Sequence, residues 1–240
     1  MSRVTFRAVG VSASLLAACA AVSVAAQRSK PESVMADSAR AFLSTLSAEQ
    51  KARATFPFNA DERLNWHFIP KTGQRKGLPL KEMNVTQQKA ALALLNAGLS
   101  EKGYEKVTTI RGLEKVLRQV ENNPRVRDPE FYYFTIFGEP SDKGTWGWRY
   151  EGHHCSLNWT VVNGKSTASS PQFMGTNPAE VRVDVPGAPP RGTRVLRQEE
   201  DLARALVKSL TPAQRSEAVI DTKAPNDIIT GAERQAAILE

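Results

Sequence analysis

The sequence predicts an α+β fold, with capped helical hairpins packed on a small antiparallel sheet. Three observations lead there. A short polar residue followed three positions later by Gln marks helix starts at Ser47, Asn84 and Thr211. An aromatic and β-branched stretch from Phe131 to Val162 is interrupted by turn residues. The 240-residue composition, 41% hydrophobic and 24% charged with 15 Gly and 14 Pro, excludes a wholly disordered or collagen-like chain and is long enough for a real core.

Residues 1–26 read as an export signal. Arg3 and Arg7 form a basic start, no acid occurs before Glu32, and an apolar run from Ala8 leads to a small-residue cleavage site before Gln27. Gly10, Ser12, Ser14 and Ser23 break that run, which argues against a permanent membrane span. Leu16-Ala17-Ala18-Cys19 also resembles a lipobox, in which Cys19 would carry a lipid and tether the product to a membrane. The expected location is therefore periplasmic or extracellular, free or tethered through Cys19. Cleavage lowers the net charge from +7 to +5, since Arg3 and Arg7 leave with no acid. The remaining charges are dispersed and no nucleic-acid motif is present, so nucleic acid is not an expected partner. With only Cys19 and Cys155, neither a disulfide framework nor a cysteine zinc ribbon can form.

The next element is a helix–corner–helix unit at 37–54, DSARAFLSTLSAEQKARA, which recurs at 201–218 as DLARALVKSLTPAQRSEA with a constant offset of 164. A shorter form, LKEMNVTQ at 80–87, leads into a helix striped with Ala90, Ala91, Leu94, Leu95 and Leu99. The main α+β domain is expected over 27–183. Residues 184–198, which begin DVPGAPPRGTR, read as a Pro/Gly-rich linker or long loop, and 199–240 as an incomplete second copy. The basic turn Arg75-Lys76-Gly77-Leu78-Pro79 reads as a solvated loop before a helix. Arg125, Arg127 and Asp128 are expected to close a helix-to-strand loop by ion pairing.

The strand region carries the rare side chains. Phe131–Phe137 reads as one strand and Trp146–Val162 as a long strand or two strands bent near Gly152; Asn163-Gly164 signals a hairpin. The three histidines are His67, His153 and His154, and Trp146, Trp148 and Trp159 share the same stretch while Trp66 adjoins His67. On a continuous strand Arg149, Glu151, His153 and Cys155 would face one way, and Tyr150, His154, Ser156 and Asn158 the other. Imidazoles with a carboxylate suit zinc, iron or copper, giving His67, His153 and His154 as metal ligands. A metal-free version uses His153 as general base oriented by Glu151. A plain core role for histidine and tryptophan remains the other reading of the same residues.

The stretch IFGEPSDKGTWGWRYEGHHCSLNWTVVNGK, the following SPQFMGTNPAEVR, and WHFIP (66–70), RKGLPLKEM (75–83) and LLNAGLSEKGY (94–104) resemble the DUF3500 family of exported bacterial proteins. The resemblance runs from about residue 37 to the end. It implies a further region with an Asp-Asn-Thr-Gln element and an Asn-His-Ile-His motif, which this sequence does not match, so either the second copy is vestigial or this is the N-terminal part of a longer protein. The family name brings no established reaction.

The function expected from these residues is an exported metal-dependent enzyme, a hydrolase acting on a small molecule or polymer fragment. Glu151, His153 and Asn158 would be catalytic, and Trp66, Trp146, Trp148 and Arg149 would hold substrate. The alternatives are a non-catalytic ligand-binding protein with a Trp-lined groove, and an envelope lipoprotein.

Overall fold

The computed structural model describes residues 31–70, 75–228 and 230–235. The predicted export signal, Cys19 and the last residues of the predicted second copy lie outside them. The elements in chain order are α1 (Pro31–Ser44), α2 (Ala48–Ala54), β1 (Thr55–Phe56), β2 (Leu78–Pro79), α3 (Val85–Ala97), α4 (Glu101–Glu121), β3 (Tyr133–Phe137), β4 (Trp146–Gly152), β5 (Cys155–Val162), β6 (Ser166–Ala168), β7 (Gln172–Met174), α5 (Arg197–Ser209) and α6 (Pro212–Ala218). The fold is α+β. Among the described residues no helix is long and apolar enough to cross a membrane.

All three predicted helix starts are capping boxes. Ser47, Asn84 and Thr211 each accept from the backbone N–H three residues on, and Gln50, Gln87 and Gln214 reach back. The first two are joined to each other. Gln50 Nε2 donates to Gln87 Oε1 at 3.2 Å, and Gln87 Nε2 donates to Gln50 Oε1 at 2.8 Å and to the Thr45 carbonyl at 2.9 Å. That pair fixes the corner after α1 against the start of α3. Met35, Ala39 and Phe42 of α1 and Ala91, Leu94 and Leu95 of α3 are buried in one cluster. In the matching segment 201–218 the packing differs: no residue of α5 or α6 is buried, and Leu202 and Leu206 are 70% and 63% exposed.

The sheet runs β1-β3-β4-β5-β6, with β2 also on β3 and β7 also on β5; β1 is parallel to β3 and every other pair is antiparallel. Strand alternation divides it cleanly. Phe134, Ile136, Trp146, Trp148, Tyr150, Leu157, Trp159 and Val161 share the core with α1, α3 and α4. Trp148 and Trp159 stack across β4 and β5, ring centroids 3.8 Å apart and planes 6° apart. The opposite face carries Tyr133, Thr135, Arg149, Glu151, Ser156 and Asn158.

The strand region corrects one expectation. Gly152 pairs with Cys155, so His153 and His154 are the two corner residues of a tight hairpin, with His154 left-handed at φ 58°. The reversal resets the alternation. Cys155 joins Tyr150 in the core, while Ser156 and Asn158 lie beside Glu151 and Arg149 rather than opposite them. At the next reversal Asn163 and Gly164, both at positive φ, turn the chain into β6 as the Asn-Gly signal predicts. The Pro/Gly-rich stretch is a loop laid along α4. Val181 is buried against Leu113 and Val116, and Lys115 Nζ donates to the Gly187 carbonyl at 2.8 Å.

Candidate functional site

The predicted site residues fall into three groups, built on the polar face of the sheet and its hairpin end. The first is a buried ion cluster. Glu151 accepts from the His67 backbone N–H at 3.0 Å and pairs with Arg75 at 3.1 Å and Arg149 at 3.3 Å. Arg149 also reaches the Glu62 carboxylate at 2.5 Å and its carbonyl at 2.9 Å. The side chains of Arg75, Arg149 and Glu151 are at most 3% exposed. Two guanidinium groups and two carboxylates cancel, which is how such charges persist away from water. Arg75 is thus no solvated loop cation. Gly77, at φ 96°, allows its segment to press onto β3, where a side chain would meet the Thr135 hydroxyl and the Phe134 carbonyl.

The second group surrounds His153, whose carboxylate partner is Glu114 rather than Glu151. Nδ1 lies 2.5 Å from Glu114 Oε1, and Arg127 Nη1 lies 3.1 Å from Nδ1 and 3.3 Å from Nε2. The ring is thus held between a carboxylate and a guanidinium. Arg127 is held by Glu121, and Asp128 by Lys81 and Arg118, so two of the three residues expected to close this loop by ion pairing do so, while Arg125 has no ion pair among the described residues. His154 diverges from its neighbour, the two rings meeting edge to face at 4.1 Å. Its backbone is pinned by N–H donation to the Phe68 carbonyl at 2.7 Å and acceptance from Gly175 at 2.8 Å. Burial, then the nearby His153 and Arg127, lower its pKa to about 4, against a small upward pull from Asp227.

A shared metal does not fit these groups as paired. The oxygens of Glu151 are taken by arginines and a backbone N–H, and a guanidinium stands against both ring nitrogens of His153. Among the described residues no group of three or more His, Cys, Asp or Glu gathers around one point.

The third group is a cavity of about 470 Å³ over the polar face. Asn158 and Thr160 of β5 contribute to its floor, Trp66 and Phe173 to its walls, and Arg63 and Arg234 to its rim. Phe68 supports the wall by stacking on Phe173 at 4.1 Å. Trp66 Nε1 donates to the Glu233 carbonyl at 3.3 Å, which ties the segment near the C-terminus to the wall. Asn158 Nδ2 donates to the Pro171 carbonyl at 2.9 Å and Ser156 Oγ at 3.4 Å. Its Oδ1 and the Thr160 hydroxyl have no hydrogen bond among the described residues.

The sequence model of a family described as a protein of unknown function, DUF3500, matches residues 28–240. The chain belongs to the DUF3500 family. No curated protein and no solved structure matches it. In this DUF3500 protein the predicted residues therefore divide. Trp66 and Asn158 meet at the cavity, joined by Trp148, which also stacks in the core. Trp146 is fully buried on the helix side with Nε1 donating to the Ser141 carbonyl at 3.1 Å, and Arg149 belongs to the ion cluster. Sequence reasoning missed Glu114, Arg63 and Thr160. Glu114 had a signal. Val107, Ile110, Glu114 and Leu117 repeat at helical spacing on α4, and a carboxylate inside an apolar stripe calls for a buried partner.

Proposed function

We propose that this DUF3500 protein is an exported, non-catalytic binding protein that holds a small polar molecule on the open face of its sheet. The observation that carries the reading is the cavity floor. Asn158 Oδ1 and the Thr160 hydroxyl have hydrogen-bonding capacity left, whereas Glu151 and His153 are paired within the protein. A concave site with apolar walls and few convergent polar groups is the ordinary form of a ligand pocket. Export rests on the pattern of residues 1–26. The competing reading, a metal-dependent hydrolase, would require His153 to leave Glu114 and Glu151 to leave two arginines.

The test is a thermal-shift screen of polar small molecules on the mature protein, followed by titration calorimetry of each hit. The expected result is binding that survives exhaustive chelation and is lost in Asn158→Leu. Binding that needs a transition metal and disappears in His153→Ala, with Asn158→Leu unaffected, would replace this reading with the metal-dependent one.

A further inference from the structure

Resting on the binding reading above, the class of ligand follows from Arg63. Its Nε donates to the Phe58 carbonyl at 3.0 Å, and its guanidinium lies 4.6 Å from the centroid of the Phe58 ring. Both contacts hold the group in place while neither uses its terminal nitrogens. Those two NH₂ groups have no hydrogen bond or ion pair among the described residues, yet Arg63 is only partly exposed and lines the cavity. An arginine fixed along its stem with a vacant two-pronged end is prepared for a planar anion. Preorganisation of this kind reduces the ordering cost of binding.

The rest of the cavity limits what that anion is attached to. Arg234 adds a second positive charge at the rim, loosely placed 3.8 Å from the highly exposed Asp61 carboxylate. Among the described residues Glu233 is the only acid in the lining, set against Arg63 and Arg234, so the described lining is net positive. Asn158, Thr160, Ser170 and Gln172 present amide and hydroxyl groups that suit ligand hydroxyls, beside aromatic surface from Trp66 and Phe173. A volume of about 470 Å³ admits one or two sugar rings rather than a longer chain.

We propose that the cavity takes a hydroxylated carboxylic acid of the uronate type, one or two rings long, with its carboxylate in the fork of Arg63 and ring hydroxyls on Asn158 and Thr160. Arg63 sets the preference for the acid over its neutral counterpart.

The experiment is titration calorimetry of the mature protein with galacturonate and digalacturonate against galactose and galactobiose, repeated on Arg63→Gln. The expected result is at least tenfold tighter binding of an acid than of its neutral partner, with that difference abolished in Arg63→Gln. Equal affinity for acid and neutral sugar, or an acid preference that survives Arg63→Gln in a folded variant, overturns the proposal and leaves the binding reading intact. No saturable binding of any of the four overturns the proposed ligand class. The thermal-shift screen then judges the cavity separately: a hit lost in Asn158→Leu keeps the binding reading, and no such hit removes both.

Discussion

Arg75 Nη1 stands 3.1 Å from Glu151 Oε2, with both side chains at most 3% exposed, so a loop residue and a central-strand residue form one buried ion pair. Arg149 joins it from the same strand face at 3.3 Å. Removing one member of such a pair leaves a charge stranded away from water, at a typical cost of 3–5 kcal/mol. Glu151→Gln should lower the unfolding free energy by about 3 kcal/mol in urea titrations. The double variant Arg75→Gln/Glu151→Gln should lose less than the sum of the two single changes, because it removes the stranded charge as well.

Stability should fall in mild acid through His154. Its pKa is about 4 in the folded protein against 6.5 as the ordinary value, chiefly because burial penalises the charged ring. Between those values the unfolded chain binds a proton that the folded chain refuses, so stability declines as pH drops from about 6.5 and stops declining on this account below about 4. His154→Asn removes the titration while keeping a residue that tolerates the left-handed backbone. Its melting temperature should therefore depend less steeply on pH across that window than that of the parent.

Cys155 is fully buried, and burial drives its thiol well above the usual range, with Glu151 adding to the effect. The protein beginning at Gln27 should show no thiol reactive to Ellman's reagent when native at pH 8. One equivalent should appear after denaturation in guanidinium.

The two matching segments, 37–54 and 201–218, should respond differently to the same change. Ser47→Ala removes a cap on a helix locked into the core and should cost about 1 kcal/mol of global stability. Thr211→Ala removes the matching cap from a helix with no buried residue. It should leave the global unfolding midpoint unchanged while speeding amide exchange within 212–218.

Much of this architecture was legible from local chemistry. The capping boxes, the stripe of the 85–97 helix and the Asn-Gly turn each rest on contacts within a few residues, which sequence spacing records directly. The site was less legible because its partners come from far along the chain. Glu114 meets His153 across 39 positions. Arg75 reads as a surface cation until β4 brings Glu151 beneath it. Alternation from Arg149 to Cys155 failed for a definite reason: two histidines at the hairpin corner reverse the chain, and the face assignment beyond them inverts. Trp146 looked like pocket wall because rare aromatics cluster there, yet the same clustering fills the helix side of a sheet with one polar face.

The amide pair between Gln50 and Gln87 has an evolutionary consequence. Each glutamine closes its own helix start and clasps the other, so a replacement at one position is felt at both. The segments 47–50 and 84–87 should therefore change together rather than singly, which a comparison of related sequences would check. Gln214 closes only its own helix start among the described residues, so a change there should be felt by that helix alone.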